Sequence, residues 1–185
     1  QTVEEFETAF GQKFGGGHAV GMSSGTDAQL AILMALGIGP GDAIITTPYT
    51  FFATAGCIHR VGAEPVFVDI RRDTMALDAD KLHEYLTVTC RRQADGSLHT
   101  PAGHRVRAII PVHLFGACCD MDAITAAADP FDLPVIEDAA QAIGSEYPSK
   151  SQGSQRAGAM GIASYFSFFP TKNLGAAGDA GMAVC

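Results

Sequence analysis

The chain contains four lysines, and one of them, Lys172, lies where an ammonium is poorly hydrated. Lys13 sits among Glu and Gln, Lys81 in an Asp-rich helix start, and Lys150 in a Ser/Gln/Gly loop, all places where the charge stays in water. Lys172 instead follows the apolar run Tyr165, Phe166, Phe168, Phe169 and precedes Leu174 and a Gly/Ala tract, with no acid downstream before Asp179. Poor hydration disfavours the charged amine, and a lysine with a lowered pKa is the usual nucleophile toward a carbonyl carbon. The plainer alternative is a lysine whose stem lies on apolar surface while its tip reaches water.

Three other stretches supply groups that would complement such an amine. Ser24-Gly25-Thr26 stands between a short strand and an apolar helix, the arrangement that turns free backbone N–H groups and the positive helix end toward an anion. It also reads as an ordinary capped turn. Asp138 closes the apolar run Leu133–Glu137, so its carboxylate projects from a buried strand and calls for a cationic partner, unless it serves as a cap or structural ion pair. Phe51, just after Pro48-Tyr49-Thr50, is placed to lie against a flat ring or to enter the core. An amine for an aldehyde, an acid for a ring nitrogen and a helix end for a phosphate together describe a site for pyridoxal 5'-phosphate. Competing phosphate signatures are missing. No G-x-x-x-x-G-K-[ST] occurs, and Gly37-Ile38-Gly39-Pro40-Gly41 follows a helix, whereas dinucleotide binding requires a preceding strand.

The elements that must carry these groups alternate between strand and helix. Val3, Phe6, Phe10 and Phe14 recur at helical spacing, which predicts an amphipathic helix over 3–14 stopped by Gly15-Gly16-Gly17. Strands are predicted at 18–22, 43–47, 65–69, 107–111, 133–137 and 163–167, with helices over 27–36 and 51–59 between them. Asp78 is expected to cap another helix, with Leu77 stapled onto Leu82, and Asp120 to cap one ending at Asp129-Pro130. Residues 91–105 are polar, contain Asp95-Gly96 and predict a hairpin excursion, while 144–161 reads as loop. Several strands are uninterrupted apolar runs, so a mostly parallel sheet covered on both faces is expected, with its ligand beyond the carboxyl ends of the strands.

At 185 residues, 47% apolar and 17% charged, one globular domain is expected. Gln1 in place of a methionine, and a strand just opening at Gly181–Cys185, suggest a piece of a longer polypeptide. A net charge of -8, with the one basic cluster, Arg91-Arg92 with Arg105 and Arg107, bracketing a polar loop, argues against nucleic acid, and no run approaches bilayer length, so no membrane role is expected. The five cysteines show no metal-ligand spacing, no metal is expected, and Cys118-Cys119 fits two small side chains in a reducing cytoplasm.

Five stretches follow one another in a familiar order: Ser23-Ser24-Gly25-Thr26-Asp27-Ala28, Pro48-Tyr49-Thr50-Phe51-Phe52-Ala53-Thr54, Pro111-Val112-His113-Leu114-Phe115-Gly116, Glu137-Asp138-Ala139-Ala140-Gln141-Ala142 and Ser167-Phe168-Phe169-Pro170-Thr171-Lys172-Asn173-Leu174-Gly175. In these, over nearly its whole length, the chain resembles the DegT/DnrJ/StrS family of nucleotide-sugar aminotransferases. The resemblance implies the aspartate aminotransferase fold (fold type I), a three-layer α/β/α sandwich around a mostly parallel mixed sheet. Residues 1–185 would be most of its large, cofactor-binding domain, without the first segment and the C-terminal small domain. It further implies that Lys172 forms the Schiff base and shuttles a proton, that Asp138 keeps the ring nitrogen protonated, and that Gln141 bonds the phenolic oxygen. Phe51 would stack on the ring, and Gly25, Thr26 and Ser167 would hold the phosphate. His113 and Asp179 are expected to be structural. The implied reaction moves an amino group, from glutamate, onto a nucleotide-linked keto-sugar, in a cytoplasmic homodimer whose partner chain completes the phosphate pocket. A lyase of the same fold and a non-catalytic regulatory protein remain as alternatives. The chain departs from the family pattern at Met160-Gly161-Ile162, where an acid usually follows the glycine, and in the length of the 91–105 excursion.

Overall fold

The computed structural model describes residues 2–14 and 17–185. Helix α1 (Val3–Lys13) begins at a reciprocal cap: Thr2 Oγ1 accepts the Glu5 amide, and the Glu5 carboxylate accepts the Thr2 amide. The predicted stop at Gly15-Gly16 lies outside the described residues. Strand β1 (Ala19–Met22) leads into α2 (Gly25–Ala35), capped by Ser24, whose hydroxyl accepts the Asp27 amide. The helix therefore starts two residues before the position expected from its apolar run. β2 (Asp42–Thr46), α3 (Phe52–Arg60) and β3 (Glu64–Phe67) follow, each within a residue or two of expectation. Asp78 caps α4 (Ala79–Glu84) as predicted, and the helix widens into a π-helical turn at Tyr85–Thr89.

The polar excursion is a small antiparallel hairpin, β4 (Arg91–Arg92) with β5 (Leu98–His99), and Gly96 takes the positive φ its turn requires. β6 (Arg105–Ile109) returns to the sheet, and α5 (Met121–Ala128) is capped by Asp120. After β7 (Ile136–Asp138), the stretch read as loop forms a second hairpin, β8 (Glu146–Ser149) with β9 (Gly153–Arg156). One face, Tyr147, Ser149 and Gln155, is partly buried, but only Tyr147 on it is apolar, so no apolar alternation marks the hairpin in the sequence. β10 (Ala163–Ser167) and β11 (Gly181–Val184) complete the fold.

Besides the β8/β9 hairpin, two larger ladders form, ordered β3-β2-β6-β5-β4 and β1-β11-β10-β7. They are joined by single parallel bridges, Ile109 with Val135 and Val112 with Asp138. The inner pairings β3/β2, β2/β6 and β7/β10 are parallel, while β11 runs antiparallel to both β10 and β1. Neighbouring strand residues enter different cores. Ile45, Ile109 and Val135 pack with Leu82, Leu86 and Ile124 from α4, its π turn and α5. Ile44, Ala108 and Ile136 pack with Leu30, Leu33 and Ile58 from α2 and α3. Each fully buried Leu or Ile stabilises the fold by roughly 1.5–3 kcal/mol. A third cluster, Phe10, Phe14, Phe166 and Phe168, clamps α1 to the β10 end.

Candidate active site

The carboxyl ends of β1, β7 and β10 and the start of α3 converge on one cavity of about 550 Å³. All seven residues singled out from the sequence line it: Gly25, Thr26, Phe51, Asp138, Gln141, Ser167 and Lys172. Phe51 is 72% exposed at the rim, which disposes of a core role for it.

The amine is held by a closed loop after β10. Phe168 anchors both of its ends, donating its amide to the Ala180 carbonyl at 2.8 Å and accepting the Ala176 amide at 2.7 Å. Within the loop the Lys172 amide bonds the Phe169 carbonyl, and Asn173 Nδ2 donates to the Ile143 carbonyl at 2.7 Å. Lys172 is partly buried and forms no ion pair among the described residues. Loss of hydration pulls its pKa below the ordinary lysine value, and the Asp138 charge opposes that pull.

Asp138 ends β7, is only 6% exposed and has no cationic partner among the described residues. Burial pushes its carboxyl up, while the Tyr165 and Thr54 hydroxyls and the Ala140 amide act in the opposite direction. Thr54 and Tyr165 were not anticipated. A signal existed for Tyr165: it lies two residues before Ser167 on one strand and so shares its face. Likewise Thr54 follows Thr50 by four residues on the start of α3, and the two hydroxyls are 2.8 Å apart.

At the start of α2, the amides of Gly25 and Thr26 have no carbonyl to pair with inside the helix. Gly25 must lack a side chain, because a Cβ there would stand 2.8 Å from that of Ser167. This close approach sets the helix end against the Ser167 hydroxyl. Gln141 is fixed by the backbone of Phe115, whose amide donates to Oε1 at 2.9 Å and leaves the NH2 group to donate elsewhere. Phe115 itself takes a left-handed conformation, φ 55°.

His113 borders the cavity but is fully buried, and its ring is engaged on both sides. Nδ1 accepts the Cys119 amide at 3.1 Å, so the ring hydrogen lies on Nε2 and is donated to Glu137 at 2.9 Å. Glu137 also accepts the amides of Gly158, Met160 and Gly161. The expected structural role of His113 has this geometry. Asp179, by contrast, is exposed and lines the cavity.

Residues 1–185 match the family model described as the DegT/DnrJ/EryC1/StrS aminotransferase family. The chain belongs to that family. Among its relatives, the "Pleiotropic regulatory protein" of Geobacillus stearothermophilus is 47% identical over 167 residues, 90% of this chain and 39% of that protein. The UDP-N-acetyl-3-dehydro-alpha-D-glucosamine 3-aminotransferase of Acidithiobacillus ferrooxidans is 45% identical over 167 residues, 90% and 40% of the two chains. Among solved structures, that of S. venezuelae DesV in complex with a ketimine intermediate superposes with a TM-score of 0.83 at 38% identity, covering 98% of this chain and 43% of DesV. The chain thus spans about two fifths of the length of these family members.

Proposed function

We propose that this chain is the cofactor-binding part of a pyridoxal 5'-phosphate-dependent aminotransferase that moves an amino group, from glutamate, onto a keto-sugar linked to a nucleotide. The observation that carries the reading is that a partly dehydrated amine and a buried acid, neither in an ion pair among the described residues, border the same cavity. The residues fit the cofactor: the acid lacks the cation that burial demands, and the glycine cradle at α2 leaves two amides free for a phosphate. When bound, the cofactor supplies an aldehyde carbon and a ring that withdraws electrons.

Lys172, free of an ion pair among the described residues, would be the amine for the cofactor aldehyde and the group that moves a proton at the reacting carbon. Asp138 would be the acceptor for the ring N–H, and Gln141 would offer its NH2 group to the phenolic oxygen. Gly25, Thr26 and Ser167 would hold the phosphate, and Phe51 would lie against the ring. The keto-sugar assignment is supported by the 3-dehydro-sugar in the name of the Acidithiobacillus relative.

The same reading makes residues 1–185 the large domain, a three-layer α/β/α sandwich, supported by the helices packed against alternate strand residues. A homodimer is supported by the aromatic side chains left exposed at and beside the cavity mouth, Phe51, Phe52, Phe115 and Phe169. All five cysteines are free, which supports a reducing compartment such as the cytoplasm; no helix among the described residues is long and apolar enough to cross a membrane. A regulatory role is carried by the printed name of the Geobacillus relative alone.

Borohydride reduction of the chain mixed with pyridoxal phosphate, followed by peptide mapping, tests the core of this reading. The label is expected on Lys172, and a label confined to Lys13, Lys81 or Lys150 refutes it. In the full-length enzyme, glutamate consumption that depends on the keto-sugar separates the aminotransferase from a lyase or a regulator.

A further inference from the structure

The carboxylate of Asp138 is gripped by two hydroxyls from elements on either side of it. Thr54 on α3 and Tyr165 on β10 both donate to Oδ2, at 2.9 and 2.7 Å, while the Ala140 amide donates to Oδ1 at 3.2 Å. Both lone pairs of Oδ2 are thereby used, and Oδ1 keeps one. An ionised carboxylate only accepts, so the single hydroxyl hydrogen of Thr54 is committed to Asp138. The Thr54 oxygen must then accept, which makes Thr50 the donor of the 2.8 Å contact between them. The hydrogen bonds therefore run one way, from Thr50 through Thr54 to Asp138, with Tyr165 converging on the same oxygen. Gln29, buried on α2, donates to the Thr54 carbonyl at 2.8 Å and braces the first turn of α3 against the site. A protonated Oδ2 would bring a hydrogen to an oxygen already facing two donors and would force one hydroxyl to turn away.

Resting on the reading of Asp138 as the partner of the cofactor ring nitrogen, we propose that Tyr165 and Thr54 are positioning residues for that contact. They keep the Asp138 carboxylate charged and fixed, with the remaining lone pair of Oδ1 as the acceptor for the ring N–H. Both are buried, at 3% and 2% exposed, and Tyr165 makes the shorter bond, 2.7 against 2.9 Å. The Ser167 hydroxyl, on the same strand face two residues on, borders the same cavity, so one strand would orient the ring acid and the phosphate together.

The cofactor-free chain allows a test without turnover. Isotope-edited infrared spectroscopy follows the Asp138 carboxyl, assigned by the band that Asp138→Asn removes. Tyr165→Phe and Thr54→Val should each raise its titration midpoint by roughly one to two pH units, the effect of one hydrogen bond to a charged group. Thr54→Ser, which keeps the hydroxyl, should restore the original midpoint. An unchanged midpoint in a Tyr165→Phe chain that melts normally overturns the hydroxyl grip. The second arm compares binding of pyridoxal phosphate with that of its analogue carrying carbon in place of the ring nitrogen. Tyr165→Phe should weaken the first by roughly tenfold and leave the second unchanged, whereas equal losses overturn the positioning role. If the unmutated chain binds both alike, the Asp138 reading itself falls, even where the infrared midpoint still moves.

Discussion

Glu137→Gln keeps the shape of a fully buried side chain and changes only what it can accept. Four donors meet on this carboxyl: the amides of Met160 and Gly161 on Oε1, each at 2.6 Å, and the Gly158 amide at 2.7 Å with His113 Nε2 at 2.9 Å on Oε2. A glutamine has one accepting oxygen. Whichever way its amide is turned, its NH2 group faces two N–H groups. The imidazole cannot relieve the conflict by moving its hydrogen, because Nδ1 already accepts the Cys119 amide. Two hydrogen bonds are lost together, and each buried donor left without a partner costs about 1–3 kcal/mol. The expected destabilisation is therefore about 2–6 kcal/mol, a large share of a domain stability of about 5–15 kcal/mol. Urea titration followed by circular dichroism reads it as a lower midpoint at unchanged slope. A loss below about 1 kcal/mol at unchanged slope would refute the argument, since two buried donor-donor contacts cannot be that cheap.

Gly158→Ala should destabilise by more than about 2 kcal/mol, read as a fall in Tm, because the residue has φ 91° and a Cβ there would enter the Phe166 ring. Alkaline pH offers another check. Burial pushes Cys57 and Cys90 each up to about 11, against roughly 8.5 for a free thiol. The folded chain holds these protons where the unfolded chain has lost them, so stability should fall as pH rises from about 9 to about 11. Replacing both cysteines by Ala should make that decline shallower in urea midpoints measured across the range, with Cys118, also pushed up to about 11, keeping part of it; an unaltered slope would count against it.

The site was largely legible because its parts sit at turns, where residue type is dictated locally. Gly25 is demanded by the approach of α2 to Ser167, Asp138 follows an apolar strand, and Lys172 stands out against an apolar loop. What escaped the sequence depends on partners distant along the chain. Tyr165 reads as one more apolar strand residue until Asp138, 27 positions earlier, is brought to its hydroxyl. Phe115 gives no sign that its amide will orient Gln141. The inward face of the β8/β9 hairpin carries polar Ser149 and Gln155 beside Tyr147, which hides its period of two, and the π turn at Tyr85–Thr89 continues the apolar pattern of a plain helix. The start of α2 was misplaced because Ser24, Thr26 and Asp27 are all competent caps, and the hydroxyl of Ser24 takes that role.

Among the described residues the two larger ladders meet at two isolated bridges, and one of them involves Asp138. On its other side the same short strand is laced to β10 through Tyr165, so the acid belongs to one half of the molecule and borders the other. Thr54 reaches it from the helix following β2, across that seam. Any slippage between the halves would thus be registered first as a change in how tightly this carboxylate is gripped. Substitutions far from the cavity that loosen the join, at Ile109 or Val135 for instance, would then surface as altered chemistry before they surface as unfolding.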